Sequence, residues 1–185
     1  MPTLLLMRSG RTAWEKEGRL QGALDIPLSP EGIEEVEKQA QAIKQHPLHE
    51  VLCGSDLTAV QSAQIVGRLC GKREKPLEEL REVRLGLWEG LLEQEALRRN
   101  PTAYRLWRKD PVCVSPPWGE SVEECFRRAS AALKRIARIN GGPPTVLVCS
   151  RMVLAVIRCV AKDVALHRLW EYVLPPAAVE WVHFR

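Results

Sequence analysis

The residues of this sequence best suited to bind an anion are two arginines that follow short apolar runs. Arg8 directly follows Thr3–Met7, and Arg151 follows Thr145–Cys149 after one serine. A guanidinium group presents a planar fork of N–H donors, which matches the oxygens of phosphate or sulfate. If the two runs are neighbouring strands, the two cations lie together and form an anion site.

A serine stands beside the first of these arginines and could act as a nucleophile only with help. The hydroxyl of Ser9 is a weak nucleophile unless a nearby base takes its proton. Of the four histidines, His46 and His49 precede the second predicted strand, at the opposite end of the sheet. His183 lies near the end of the last strand and His167 in a helical or loop region. We therefore expect Ser9 to fill space rather than to catalyse.

The elements that must position these residues alternate between strands and helices. Short apolar runs bounded by loop residues are typical of buried strands. Four such runs are predicted as strands: Thr3–Met7, Glu50–Cys53, Thr145–Cys149 and Val179–Phe184.

Helix start and stop signals separate these strands. Ser29-Pro30 predicts a helix whose inward face is Ile33, Val36, Ala40 and Ile43. A second helix ends near Leu69 before Gly71, and a third begins with the capping box Ser121–Glu124. The third helix buries Val122, Cys125, Ala129, Ala132 and Ile136 and stops at Asn140-Gly141-Gly142. Residues 91–108 are helical with a break at Asn100-Pro101, residues 109–118 form a proline-rich loop, and another helix runs from Val153.

This alternation predicts an α/β fold: a doubly wound, mostly parallel sheet with helices on both faces. Residues 1–185 are expected to form a single domain, because no repeat or low-complexity linker interrupts them. In such folds ligands bind at the carboxyl ends of the strands. The segments after Met7, Cys53 and Cys149 are therefore where a site is expected.

The segment 7–32, MRSGRTAWEKEGRLQGALDIPLSPEG, resembles the signature of the histidine phosphatase superfamily, in its phosphoglycerate-mutase-like branch. That signature runs Arg-His-Gly, Thr-x-Trp-Asn, Gly-Arg-x-Gln-Gly, Asp-x-Pro-Leu and a later Gly; Gln21 and Gly22 fit its Gln-Gly step. LREVRLGLWEG (80–90), Gly119-Glu120-Ser121 and VLVCSRM (146–152) resemble further family segments. The resemblance covers almost the whole chain and implies a phosphate pocket.

The resemblance also implies that the catalytic groups have changed. In the family the first histidine is phosphorylated, and a second histidine with two arginines holds the phosphoryl oxygens. Here Ser9 stands at the first histidine position and Arg151 at the second. No arginine occurs in GSDLTAVQSA (54–63), where Thr58 stands at or beside the family's arginine. Arg8 remains.

Two glutamates bear on the same pocket. Glu15 replaces a neutral asparagine of the family, which puts a carboxylate where phosphate would approach, and Glu82 stands at the family's proton-donor position. Either glutamate could neutralise Arg8 or Arg151 and close the site. The alternative is an open site that keeps affinity for anions.

Residues 91–118 are expected to form a helical, proline-rich lid over the pocket. Trp107 and Trp118 flank its loop, and either could line a ligand cavity or a partner surface. For Trp, packing is the more frequent role. The sequence contains no Walker A loop, no His-Glu-x-x-His motif and no paired Cys/His metal spacing, so we expect no cofactor and no metal site.

Composition limits the class of protein. The 185 residues are 45% hydrophobic and 27% charged, with a net charge of +4 and no basic run, which argues against a nucleic-acid partner. No apolar stretch approaches the ~18 residues of a membrane helix, so we expect no membrane partner. Six scattered cysteines, including Cys53 and Cys149, are typical of buried thiols in a cytoplasmic protein.

Two hypotheses about function remain. In the first, the chain is a catalytically degenerate pseudophosphatase that binds an anion, a second copy of itself or an active homologue, as a regulatory module. In the second, it is a residual or altered phosphatase or phosphomutase that uses Arg8, Arg151 and Glu82 on a phosphorylated small molecule. The simultaneous loss of several pocket residues favours the first, because each loss alone typically costs on the order of a hundredfold in rate.

Overall fold

The computed structural model describes residues 3–139 and 142–183. In this part of the chain five strands form one sheet in the order β3-β2-β4-β1-β5. The strands are β1 (Thr3–Arg8), β2 (Val51–Gly54), β3 (Glu74–Leu77), β4 (Thr145–Cys149) and β5 (Val179–His183). Every pairing is parallel except that between β1 and β5, so the predicted mostly parallel sheet is confirmed.

Seven α-helices connect or flank the strands in the described ranges. They are α1 (Ala13–Glu17), α2 (Pro30–Ile43), α3 (Leu57–Cys70), α4 (Glu93–Arg99), α5 (Pro101–Lys109), α6 (Val122–Ile139) and α7 (Arg151–Ala161). The 3₁₀ turns Glu78–Leu80, Gly86–Trp88 and Leu166–Tyr172 complete the architecture.

The core lies on both faces of the sheet. Successive side chains of a strand point to opposite faces, and β1 follows this rule: Leu4 and Leu6 pack on one side, Leu5 and Met7 on the other. The first side carries α6 and α7 together with the aromatic residues of α5, and the second carries α2 and α3. All four side chains are fully buried, so β1 contributes to the core on both faces of the sheet.

The predicted helix signals form the bonds expected of them. The Ser29 hydroxyl accepts the Gly32 N–H at 3.0 Å at the start of α2. Ser121 and Glu124 make both bonds of a capping box, at 2.8 and 3.1 Å, before α6. Gly71 ends α3 in the left-handed region, with φ of 66°.

Four features differ from the sequence-based expectation. Ile33 is 40% exposed, because Gly32 takes the inward position of α2 against the backbone of Arg11. Strand β3 was not predicted, since its charged sequence EKPL pairs on one side only, as an edge strand. The short helix α1 was also not predicted. Helix α7 begins at Arg151, two residues earlier than expected.

Two predicted boundaries lie outside the described residues: Asn140 and Gly141 in the stop signal of α6, and Phe184 in the last strand. Within the described ranges, no helix is both long and apolar enough to cross a membrane.

Candidate functional site

A cavity of about 100 Å³ opens where the carboxyl ends of β1 and β4 meet. Arg8 and Cys149 are paired across these two strands, so the residues that follow each strand lie side by side. Ser9 and Arg151 both line the cavity, as the sequence predicts for segments at this edge of the sheet.

Arg8 is buried and already holds partners within the protein. Its Nη2 forms an ion pair with Glu15, and its Nη1 donates to the carbonyl of Leu174. Burial lowers the pKa of Arg8, and the Glu15 carboxylate opposes that effect. The predicted internal neutralisation therefore occurs at Arg8, which leaves little of its charge for an outside anion.

Glu82 is buried and holds the start of α7. Its carboxylate accepts the backbone N–H groups of Met152 at 2.7 Å and of Val153 at 3.0 Å. These N–H groups belong to the first turn of the helix and have no partner inside it, which explains why α7 begins at Arg151. Burial and the neighbouring Asp56 raise the pKa of Glu82 to about 7, while the N–H donors act in the opposite direction.

A set of polar side chains forms the floor network of the cavity: Ser9, Asp56, Thr58 and Ser150. All of them except Asp56 line the cavity. Ser150 donates its hydroxyl proton to Asp56, and Thr58 donates to the same carboxylate oxygen at 2.9 Å. The oxygens of Ser9 and Ser150 are 3.5 Å apart. Asp56 also accepts the N–H groups of Ala59 and Glu82, so its acceptor sites are used within the protein. Sequence reasoning missed Asp56, although its position before α3 is that of an N-cap.

Arg151 differs from Arg8 in having no ion-pair partner within the described ranges. It is the first residue of α7 and lines the cavity, and its Nε is buried without a hydrogen-bond partner. No bond joins it to Glu15 or Glu82 in the part of the chain that the structure describes. Arg151 is therefore a cation that faces the cavity uncompensated.

Gln21 and Gly22 line the cavity and shape the loop after α1. The side-chain amide oxygen of Gln21 accepts a hydrogen bond from the Thr12 hydroxyl at 2.9 Å. Gly22 has φ of 59°, and a Cβ there would lie 2.3 Å from a carboxylate oxygen of Glu89. A side chain at position 22 would be strained and would collide, so this glycine allows the loop to approach Glu89.

An aromatic wall, formed by Trp88, Tyr104, Trp107 and Trp170, stands over one side of the cavity. Trp107 packs edge-on against Trp170 with ring centroids 4.7 Å apart, and against Trp88 at 5.4 Å. Trp107 and Trp170 line the cavity directly. Arg108 lies over the Trp170 ring at 5.3 Å. Sequence reasoning singled out Trp107 but missed Trp170, Arg108 and Tyr104.

The other predicted lid residue, Trp118, does not reach the cavity. Its side chain is 87% exposed, and no residue of the loop 109–118 lines the cavity. The carbonyl of Pro116 accepts the Gly119 N–H at 2.8 Å, and Trp118 lies in this turn with φ of 59°. This turn directs the Trp118 side chain into solvent.

No histidine lines the cavity, and the described residues contain no cluster of three or more His, Cys, Asp or Glu side chains placed to hold a metal ion. The thiols of Cys53 and Cys149 are buried at strand ends and do not line the cavity. Burial raises the pKa of both thiols, that of Cys53 to about 12, so both stay protonated and unreactive.

Comparison with known proteins places the chain. Residues 4–185 match the sequence model of the histidine phosphatase superfamily, branch 1. The chain belongs to this superfamily. The predicted family and fold are thereby confirmed.

Individual relatives agree with this placement. The chain is 33% identical over 148 residues to phosphoglycerate mutase-like protein 4 of Arabidopsis thaliana, a match that spans 78% of this chain and 64% of that protein. It is 26% identical to phosphoserine phosphatase 1 of Hydrogenobacter thermophilus, over 99% of this chain and 87% of that one. The solved structure of Bacillus stearothermophilus YhfR superimposes with a TM-score of 0.91 at 27% identity, over 99% and 91% of the two chains.

Proposed function

We propose that this member of the superfamily is a catalytically degenerate phosphatase homologue that binds an anion without hydrolysing a phosphate ester. The observation that carries the proposal is the absence of histidine from the cavity lining. Ser9 and Arg151 lie where the family signature places its two catalytic histidines. A phosphohistidine cannot form at Ser9, because a hydroxyl offers no ring nitrogen.

The neighbouring groups support the same conclusion. Arg8 is engaged by Glu15, and Glu82, at the proton-donor position, is held by two N–H groups of α7. Stabilising the transition state of phosphoryl transfer requires cations aimed at the phosphoryl oxygens. Of the two arginines predicted to bind the anion, only Arg151 has no ion-pair partner within the described ranges.

The second candidate, an altered phosphatase, is favoured by one contact. Ser9 lies 3.5 Å from Ser150, which donates to Asp56, so a proton could in principle pass from Ser9 towards a carboxylate. Two features weigh against it. The Ser9–Ser150 separation is at the limit of a hydrogen bond, and Asp56 already accepts hydrogen bonds from four donors within the protein.

An activity assay separates the two candidates. The purified chain is incubated with p-nitrophenyl phosphate, phosphoserine and common sugar phosphates, and phosphate release is measured beside the Ser9→Ala variant. We expect both proteins to stay at background. Turnover by the wild type that disappears in Ser9→Ala would overturn the proposal and establish the serine mechanism.

Restoring the histidines tests the explanation rather than the outcome. The double variant Ser9→His, Arg151→His is expected to remain inactive, because Glu15 still neutralises Arg8 and residues 54–63 contain no arginine. Adding Glu15→Asn and Thr58→Arg should bring back measurable phosphohistidine and turnover. Activity of the double variant at rates typical of an active relative would show that the histidines alone were limiting.

Three further proposals accompany this one. We propose that residues 1–185 act as one domain and that 91–118 serves as its lid through α5, since Trp107 and Arg108 line the cavity. We propose a cytoplasmic location, supported by six free cysteines, four of them buried. As a regulatory module, the chain would pair with a second copy or with an active homologue.

A further inference from the structure

We propose that the cavity takes a small carboxylate with one aromatic ring, a monoanion, in preference to a phosphate monoester. This inference deepens the proposed function and rests on it: the same cavity binds an anion, and its charges and walls select which kind. Three features favour a carboxylate over a phosphate ester: the net charge of the cavity lining, the unpaired Arg151 and the apolar walls.

The charges that line the cavity leave at most one positive charge for a ligand. Four arginines and three glutamates line it. Arg8 is paired with Glu15, and Arg19 with Glu17 at 2.7 Å, so neither pair offers net charge to a ligand. The remaining lining groups are two arginines, Arg108 and Arg151, and two glutamates, Glu82 and Glu93.

This remainder is neutral when Glu82 is ionised and carries one positive charge when Glu82 holds its proton, which it does for part of the time near neutral pH. A carboxylate brings one negative charge, whereas a phosphate monoester brings nearly two at pH 7. The second charge of a phosphate would meet the carboxylates of Glu15, Glu82 and Glu93 without a matching cation. Like charges in a partly enclosed site repel strongly, so the dianion is disfavoured.

The head of the ligand is assigned to Arg151. Two lining arginines, Arg108 and Arg151, have no ion pair within the described ranges. Arg108 lies over the Trp170 ring, whereas the Nε of Arg151 is buried without a hydrogen-bond partner. A guanidinium fork and a carboxylate match in plane and spacing and form two parallel bonds. The Ser9 hydroxyl lines the same end of the cavity and can donate to the same carboxylate.

The body of the ligand is assigned to the apolar side. Trp107, Trp170, Leu20, Leu85 and Met152 all line the cavity, and the two indole rings form a rigid corner. Burying a ring against these groups is favourable, and aromatic rings add edge-to-face contacts. The cavity volume of about 100 Å³ is below the roughly 150 Å³ of an engineered cavity that encloses benzene, and the cavity opens to solvent. A single ring would therefore pack against the indole corner and remain partly exposed.

The test is calorimetric titration of the full chain with four probes: phenylacetate, acetate, phenyl phosphate and inorganic phosphate. We expect phenylacetate to bind at least fivefold more tightly than phenyl phosphate and at least tenfold more tightly than acetate. Tighter binding of phenyl phosphate or inorganic phosphate would overturn the inference and leave the proposed function standing. Binding of none of the four would also overturn it, and equal binding of acetate and phenylacetate would remove the role of the aromatic wall.

A matched pair of variants locates the head group. Arg151→Gln should weaken the binding of phenylacetate at least tenfold. Arg105 is exposed on the outer side of α5, so Arg105→Gln should leave the affinity for phenylacetate unchanged. If the two variants behaved alike, Arg151 would not hold the carboxylate. Hydrolysis of phenyl phosphate during the titration would instead contradict the proposed function, so the two failures are distinguishable. Because the ranking of probes is measured on the wild type, it stands even if a variant fails to fold.

Discussion

The floor and the wall of the cavity contrast in how their polar atoms are used. In the floor network, hydroxyl and carboxylate groups bind one another, and Asp56 accepts from two side chains and two backbone groups. On the wall side, by contrast, Arg151 lines the cavity, and its Nε is buried without a hydrogen-bond partner in the described ranges. Buried polar atoms are normally paired, so Arg151 and the indole rings of Trp107 and Trp170 are the part of the cavity suited to receive a ligand.

Under the proposed function, the contrast accounts for a phosphatase fold that binds an anion without hydrolysing a phosphate ester. A catalytic floor must leave its groups free to meet the reacting atoms, whereas the floor of this chain has bonded its groups to each other. Binding needs only an accessible cation and an apolar surface that the ligand can bury. Arg151 provides the cation, and the aromatic wall provides the surface. Under this interpretation the floor network now stabilises the fold, and the wall determines what the cavity holds.

The largest effect on stability is expected from Asp56→Ala, which breaks the floor. The change removes the N-cap of α3 and leaves the buried hydroxyls of Ser150 and Thr58 without their acceptor. We expect a loss of roughly 3–5 kcal/mol in the free energy of unfolding, measured by urea denaturation. Asp25→Ala is the control, because Asp25 accepts the Leu57 N–H near the same helix start but in an exposed position. A loss of 1 kcal/mol or less for Asp56→Ala would show that the network is not structural.

The second prediction concerns pH and Glu82. The pKa of Glu82, about 7 in the folded protein, lies above the ordinary carboxyl value of 4.5, so between these two pH values the folded state binds more protons than the unfolded state. The free energy of unfolding should therefore fall as pH rises from about 5 to about 7, by up to about 1.4 kcal/mol per pH unit. Denaturation curves across this range test it.

The control for the pH prediction is Glu82→Gln, which cannot ionise. Its stability should vary less with pH than that of the wild type, and the difference between the two proteins isolates Glu82 from other titrating groups. If the wild type gained stability over this range relative to Glu82→Gln, the pKa of Glu82 would be lowered rather than raised.

A smaller effect is expected at Trp118, outside both regions. Its φ of 59° is strained for a bulky residue, and its side chain is 87% exposed, so little packing compensates. Trp118→Asn should raise the free energy of unfolding by about 0.5–1 kcal/mol, because asparagine tolerates the left-handed region. Leu106→Asn, a partly exposed apolar residue inside α5, should give no gain.

The smallest effect on stability is expected from Arg151→Met, a change on the wall side of the cavity. No ion pair is lost, and Arg8 lies close enough to Arg151 to be repelled by it. The free energy of unfolding should change by no more than about 0.5 kcal/mol, similar to Arg105→Met. A loss of 2 kcal/mol or more would mean that Arg151 is tied into the fold, and the contrast between floor and wall would fail.

Much of this organisation could be predicted from the sequence because it is local. The end of the first strand was predicted at Met7, one residue before the observed end at Arg8, and that of β4 at Cys149. These strand ends, the Ser29 cap and the break at Asn100-Pro101 each depend on residues close together in sequence. The roles of Asp56 and Glu82 could not be predicted in this way. Asp56 meets Ser150, and Glu82 meets Met152, across 94 and 70 residues, and no local pattern records such contacts.

The same limit explains why the sequence did not distinguish the two tryptophans of the lid. Trp107 and Trp118 look equivalent in sequence, each beside the proline-rich loop. Packing on Trp88 and Trp170 turns the first inward, whereas the turn at Pro116–Gly119 turns the second outward. Tertiary contacts, which the local sequence does not record, therefore determine which of the two tryptophans faces the cavity.

The distribution of thiols makes the protein convenient for spectroscopy. Of the six cysteines, only Cys113 is exposed, and it lies in the loop that follows α5. Its thiol donates to Asp110 at 3.3 Å, which raises the pKa of Cys113, so alkylation calls for mildly alkaline buffer. A fluorophore or spin label attached there would sit a few residues from Trp107 on an otherwise native chain. Movement of the lid segment during titration with a ligand could then be followed without introducing or removing a single residue.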